Sequence, residues 1–332
     1  MNHDVAIIIP TKNRIDWCIL RTRFHAASKF TGHLLFIDSS ESNPSDEFQK
    51  NASQIGAKNV TFIHLPSLGA HQAIVQGLRF IQDRCKYVVF SGDDDFHLPK
   101  GLTDCSHFLD ENPQYFSVCG PAIISRMEIK ETRGKIATSS NYWKKFEISE
   151  QDIFDRLNSI VQNYHNLEFA LKRLDKYLEI MTQIIIEFPS SDFSESTTLE
   201  YCSSLSIALE GRSGWVNTPF LIRGDHLLRP NSFTTKNQTF LERKNSLLLR
   251  NQRVAIFLKK HFKHELEVFS LSTINSILNV PLNKKLRSES LTKIPQWIIF
   301  QLLRIRRRSK SMYLGIKYGR YLKWIENLVI EH

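Results

Sequence analysis

An α/β fold, with a mostly parallel central sheet flanked by helices, is the class this sequence predicts. Three observations carry that expectation. Up to Pro121, short apolar strands alternate with helical stretches of about 10–15 residues, the pattern of a parallel sheet covered on both faces. The first strand, Val5-Ala6-Ile7-Ile8-Ile9, is apolar without alternation, as expected of a strand buried on both sides. Polar residues collect where successive strands end: Thr11 and Arg14, Asp38, Ser67, and then Asp93-Asp94-Asp95. In open α/β sheets ligands bind at those carboxyl ends.

Taken in order, the Val5–Ile9 strand closes at Pro10-Thr11 and a helix is predicted over Ile15–Phe30. A second strand, His33–Ile37, ends in Asp38-Ser39-Ser40, and a third, Val60–Leu65, ends in Pro66-Ser67. A helix over Ala70–Gln82 leads to the strand Tyr87–Phe90, which stops at the Ser91-Gly92 turn. Asp93, Asp94 and Asp95 follow at once. Three adjacent carboxylates repel one another unless water or a cation compensates them. A divalent ion with hard oxygen ligands does so, with phosphates completing its shell; a solvated acidic turn is the alternative. A helix over Leu102–Glu111, stopped by Asn112-Pro113, and a strand over Phe116–Cys119 come next, and Gly120-Pro121 ends the pattern. The following thirty residues give no clear period.

From Ile153 the apolar residues Leu157, Ile160, Tyr164, Leu167, Leu171, Leu174, Leu178, Met181 and Ile185 keep an unbroken seven-residue repeat. Two readings follow, a coiled-coil homodimer seam over 151–187 or a helix or helical hairpin packed on its own domain. Phe154, Val161, Ala170, Tyr177 and Ile184 widen the stripe toward a bundle, and His165-Asn166 marks a break. A helical pattern then runs from Leu199-Glu200 to Leu209, with Gly211 after its last turn. A strand over Val216–Ile222 precedes Arg223-Gly224-Asp225-His226. Beyond Thr235 helices are expected over Phe240–Phe262 and Leu266–Val280. No GxGxxG, GxxxxGK[ST] or GxSxG pattern occurs, which argues against dinucleotide, P-loop and α/β-hydrolase sites.

The strand running into SGDDDFHLPKGL, with FLDENPQY after it, resembles the Asp-x-Asp turn of GT-A glycosyltransferases, and in particular a bacterial branch of family 2. The likeness extends over roughly residues 4–232. It implies a catalytic domain over 1–232, including a helical insertion at about 151–187, and a basic helical region over 233–332. It implies a metal-dependent inverting enzyme that moves a sugar from a nucleotide-diphosphate donor, UDP-linked by default, to a hydroxyl of a glycan or lipid-linked glycan in bacterial surface polysaccharide synthesis. By that resemblance Pro10, Thr11 and Arg14 receive the nucleotide's base and ribose. Asp38 accepts a hydrogen bond from the base, or alternatively caps its own turn. Asp93, Asp94 and Asp95 hold Mg²⁺ or Mn²⁺ on the diphosphate, with Asp95 favoured for direct contact because the family's last Asp provides it. Glu200, and after it Asp192, stands where the family has its base. Arg223 pairs with a pyrophosphate oxygen, and His226 either completes the metal shell or is structural. A nucleotidyltransferase of similar architecture, or a non-catalytic membrane- or nucleic-acid-binding protein, remains as an alternative.

Composition narrows the setting. The chain has 332 residues and a formal net charge of +10. Residues 1–232 hold 24 Lys and Arg against 28 Asp and Glu, whereas residues 233–332 hold 20 against 6, a net of +14. Pro295-Gln296-Trp297-Ile298-Ile299-Phe300 runs into Arg304-Ile305-Arg306-Arg307-Arg308, a mixture suited to a helix in a lipid headgroup layer. Nucleic acid is the less favoured anionic partner, since no RNP-like, helix-turn-helix or zinc-finger pattern accompanies the charge. Five cysteines without CxxC spacing, no signal-peptide pattern and no apolar run near 18 residues lead to the expectation of a cytoplasmic enzyme, peripheral on the inner face of the membrane.

Overall fold

The computed structural model describes residues 4–130, 133–143, 145–189, 193–225 and 240–280. At its centre lies β1 (Val5–Thr11), flanked in parallel by β2 (His33–Asp38) and by β4 (Tyr87–Phe90), with β3 (Val60–His64) outside β2. Val5 to Ile9 are fully buried, because α1 (Ile15–Ala27), α2 (Ser45–Ile55) and α3 (Ala70–Ile81) cover the sheet. The apolar run without alternation is thus explained by burial on both faces.

Beyond β4 the sheet departs from the parallel pattern. The strand β9 (Leu171–Arg173) pairs antiparallel with β4 on one side and with β6 (Tyr115–Cys119) on the other, and β10 (Arg212–Trp215) closes the edge. A second sheet joins the short β5 (Asp95–His97) to β11 (Leu221–Asp225), β7 (Ala122–Lys130) and β8 (Arg133–Trp143). β5 leads into α4 (Pro99–Glu111). The strand expected over Val216–Ile222 is instead two strands, β10 before it and β11 overlapping its end.

The seven-residue repeat is not one helix. It divides into α5 (Ile153–Gln162), a 3-10 turn at Leu167–Phe169, β9, and α6 (Leu174–Glu187). The break falls at His165-Asn166, as the sequence hinted. Leu157, Ile160, Leu167, Leu171, Leu174 and Met181 are fully buried in the chain's own core, so the coiled-coil dimer seam is not available through them. A strand in the middle of the segment, paired on both sides, also means that 151–187 is part of the main sheet rather than a helical insertion. Period seven marked buried positions correctly but could not register a three-residue strand between two helices.

Next comes α7 (Phe193–Glu210), and after it the chain returns as α8 (Phe240–His261) and α9 (Leu271–Leu278). Val254, Ala255, Phe257, Leu258, Leu266 and Ile274 belong to the same apolar core as the sheet helices. Residues 240–280 therefore share the core of the sheet domain. All five cysteines are free and buried. Among the described residues no helix is long and apolar enough to cross a membrane. The Arg304–Arg308 cluster lies outside the described residues.

Because Phe257 packs beside Phe188 in that shared core, Phe257→Ala should cost about 3–5 kcal/mol of stability. Urea unfolding followed by tryptophan fluorescence and by far-ultraviolet dichroism should shift as one transition. Two separated transitions, with only the dichroism midpoint moved, would show that 240–280 fold on their own.

Candidate active site

The carboxyl ends of β1 and β4 meet at a cleft of about 530 Å³, open to solvent on one side. Pro10, Thr11, Lys12 and Arg14 line it from β1, Asp93, Asp94 and Asp95 from the turn after β4, and Arg223 from β11. The 3-10 turn contributes Glu168 and Phe169, α7 contributes Glu200, and His71 comes from the first turn of α3. Of the residues marked in the sequence, Pro10, Thr11, Arg14, Asp93, Asp94, Asp95, Glu200 and Arg223 are thereby brought together. Asp38 is buried beside the cleft without lining it. Asp192 and His226 lie outside the described residues.

The three aspartates are all buried. Three arginines from separate elements surround them. Arg14 Nη1 donates to Asp93 Oδ1 at 2.6 Å, and its Nη2 lies 3.7 Å from Asp94 Oδ2. Arg223 Nε lies 3.9 Å from Asp95 Oδ1, since antiparallel β11 sets Arg223 opposite Asp95. The backbone N–H of Gly224 donates to the same oxygen at 3.2 Å. From below, the wholly buried Arg21 donates from Nη2 to Ser91 Oγ at 3.1 Å, and its guanidinium carbon sits 5.2 Å from the Phe96 ring centre. Arg21 was missed in the sequence, where it stands in a helical stretch between apolar neighbours. A charge on the apolar face of α1 was the available signal.

Two glycines make this packing possible. A Cβ on Gly92 would come within 2.9 Å of Asp95 Oδ2 and 3.0 Å of Asp94 Oδ1. One on Gly224 would meet the Asp94 carbonyl oxygen at 2.5 Å. Even so, burial and then the neighbouring Asp94 raise Asp93 to about 6, against the opposing pull of Arg14 and the Thr11 hydroxyl, which donates to Asp93 Oδ2 at 3.0 Å. The turn offers hard oxygen donors with a deficit of positive charge, which fits a hard divalent cation. Among the described residues no cluster of three or more His, Cys, Asp or Glu side chains is arranged to hold a metal. An ion here would thus take one or two carboxylates and complete its shell with phosphate oxygens, the common arrangement for Mg²⁺.

Asp38 is engaged on both oxygens. Ser40 Oγ donates to Oδ1 at 2.6 Å and His64 Nδ1 lies 2.8 Å from Oδ2. The backbone N–H of Asn13 in turn donates to Ser40 Oγ at 2.8 Å. Through Ser40, Asp38 fixes the loop that carries Arg14.

In the same cleft, burial first and Glu168 second push the Glu200 carboxyl up to about 7, with Arg223 and His71 pulling it down. The Tyr164 hydroxyl donates to Glu200 Oε1 at 3.4 Å. A carboxyl that changes charge near neutrality is suited to taking up a proton. Glu168 and His71, bonded to each other at 3.2 Å, were not marked in the sequence; the seven-residue repeat hid Glu168 and the helical pattern hid His71.

Residues 6–170 match the family described as glycosyl transferase family 2. Among solved structures the fold is similar to that of S. aureus TarS 1–349, with a TM-score of 0.51 at 13% identity over 99% of this chain and 89% of that one. The same protein in complex with UDP gives 0.50 at 14% identity over the same shares. At such identities the likeness is one of fold. No curated protein matches the chain.

The raised carboxyl of Glu200 has a consequence for stability. Glu200 is protonated in folded and unfolded chains alike below pH 4.5, so it contributes nothing there. Above about pH 7 it is ionised in both and its buried charge destabilises the fold. Glu200→Gln should therefore match the wild type in unfolding free energy near pH 4 and exceed it at pH 8, by on the order of 1 kcal/mol, with Tm following. A pH-independent difference in thermal scans would contradict this.

Proposed function

Because the chain is a glycosyltransferase carrying a family 2 domain, we propose that it is a metal-dependent inverting enzyme using a UDP-linked sugar and a hydroxyl of a glycan or lipid-linked glycan. The family match sets aside the nucleotidyltransferase and non-catalytic alternatives. One observation carries the proposal: carboxylates that could share a diphosphate-bound cation and a carboxyl poised to accept a proton line the same cleft. The UDP complex of TarS favours a uridine donor.

In this reading Thr11 and Arg14 flank the nucleotide and Arg223 faces the diphosphate. One or two of Asp95, Asp93 and Asp94, Asp95 first among them, would hold Mg²⁺ or Mn²⁺, which when bound supplies Lewis-acid stabilisation of the leaving diphosphate. Glu200 takes the proton from the acceptor hydroxyl, whose oxygen forms the new bond to the anomeric carbon as the bond to the diphosphate oxygen breaks. A base on the face opposite the leaving group gives inversion. Arg14 and Arg223 supply positive charge toward the departing oxygen, and burial keeps that attraction strong.

The test is acceptor-independent hydrolysis of UDP-glucose, UDP-galactose and UDP-N-acetylglucosamine by the full chain. At least one should be cleaved, and both excess EDTA and Asp95→Ala should abolish the activity. With an acceptor identified, Glu200→Gln should lower turnover by roughly 10²–10⁴ while donor affinity holds. Full activity in EDTA would sink the metal dependence; unchanged turnover in Glu200→Gln would sink the base.

The net charge of +14 over 233–332 supports a second element of the proposal, reversible attachment to anionic membrane, where a lipid-linked acceptor would be concentrated. Each basic residue at such a surface contributes about 1 kcal/mol, within a Debye length of roughly 10 Å. Co-sedimentation with phosphatidylserine vesicles should be lost in high salt and on changing Arg304, Arg306, Arg307 and Arg308 to Gln. Equal binding to neutral vesicles would reject it.

A further inference from the structure

Glu168 has no part in the chemistry above, yet few side chains in the cleft are so firmly placed. Its backbone is fixed from several directions. Asn166 Oδ1 accepts from the Glu168 N–H at 3.1 Å, and Ser204 Oγ accepts from the Leu167 N–H at 3.1 Å. From inside the sheet the fully buried Lys172 donates from Nζ to the Glu168 carbonyl at 2.6 Å. The Phe169 carbonyl lies 3.3 Å from His97 Nε2, and the Arg223 guanidinium stacks over the Phe169 ring at 4.6 Å. The carboxylate itself is aimed by His71, whose Nε2 is 3.2 Å from Oε1. Glu168 is only 2% exposed and lines the cleft. Its second oxygen, Oε2, has no hydrogen-bond partner among the described residues. A carboxylate so buried gains from a further donor, and the cleft it lines is where a ligand could supply one.

What would fill that space follows from its neighbours. On one side, Phe169 leads through Arg223 to Asp95, the diphosphate end. On the other stands Glu200, close enough for its charge to be felt. In a displacement with the base opposite the leaving group, what lies between the two is the transferred sugar. The acceptor approaches Glu200, which is more exposed than Glu168. Resting on the nucleotide-sugar reading, we propose that Glu168, oriented by His71, accepts a hydrogen bond from a hydroxyl of the donor's sugar and so sets which sugar the cleft takes.

Equilibrium binding without acceptor tests this, because proton uptake by Glu200 plays no part in it. UDP, UDP-glucose, UDP-galactose and UDP-N-acetylglucosamine are titrated into the full chain with Mg²⁺. Glu168→Gln should bind UDP as the wild type does but lose about tenfold in affinity for the preferred UDP-sugar, the usual scale for a hydrogen bond to a charged group. The loss should vanish for the deoxy analogue lacking the hydroxyl concerned. His71→Asn should show the same selective loss, more weakly, and stands in if Glu168→Gln fails to fold. Equal loss for UDP and UDP-sugar, or none for either, overturns the inference while leaving the donor reading intact. A wild type that binds UDP-sugars no better than UDP overturns it as well. A wild type that binds none of these nucleotides removes the donor reading and this inference with it.

Discussion

The burial of three consecutive carboxylates at the end of the central strand is the constraint on which the rest depends. Neighbouring charges about 4 Å apart interact by roughly 4 kcal/mol at an effective dielectric constant near 20, so uncompensated repulsion among Asp93, Asp94 and Asp95 rivals the net stability of a domain. Compensation comes from elements far apart in the chain. Arg14 follows β1, Arg21 rises through the core from α1, and Arg223 crosses from the second sheet. That second sheet has a clear purpose in this light. Pairing β5 with β11 sets Arg223 opposite Asp95 and lets Gly224 close on the Asp94 carbonyl. The arginines do not finish the task, since Asp93 remains raised to about 6 by burial and by Asp94. The turn is left with an appetite for positive charge on its cleft side, where a donor's diphosphate and its cation would arrive.

How much of this was legible follows from how each contact is made. β1, β2 and β4 could be read because burial on both faces writes a continuous apolar run, and the DDD turn because three adjacent carboxylates need an explanation. Contacts between distant segments left weaker traces. Arg21 was a single charge in a helical stretch, and nothing local says that it points at Ser91, seventy residues on. β9 has three residues, too few for any period, and its neighbours kept helical spacing. The β7–β8 hairpin carries a polar outer strand, SSNYW, that gives no alternation. Glu200 was placed by resemblance alone; its place in the cleft appears only when α7 is seen to bring it among the residues that line the aspartate turn.

Two carboxyl groups on one wall, Glu168 and Glu200, are held in different environments. Glu168 is anchored by His71 at its carboxyl and by Lys172 at its backbone carbonyl. Glu200 has a long contact from Tyr164 and the pull of Arg223 and His71, and burial above all raises its carboxyl to about 7. Surroundings of this kind give like groups different tasks: the carboxyl held by an imidazole is oriented to accept a hydrogen bond, while the one raised by burial can exchange a proton. The closeness of the two is part of the effect, since Glu168 is the next cause after burial that raises Glu200.

The helices beyond the second sheet bear on this arrangement more directly than a separate appendage could. α8 buries Val254, Phe257 and Leu258 in the common core, and its Arg250 lies 4.2 Å from the Tyr201 ring centre, beside Glu200 in α7. Arg250 also interacts electrostatically with Glu200 and Tyr164, from a position where burial works against its own charge. The helix that bears Glu200 is thus backed by a helix of the basic region. A shift of α8 would move Tyr201 and, through one turn of α7, the carboxyl beside it. The basic region therefore cannot be weighed only as a surface for anionic partners, since its first helix packs beside Tyr201, next to Glu200.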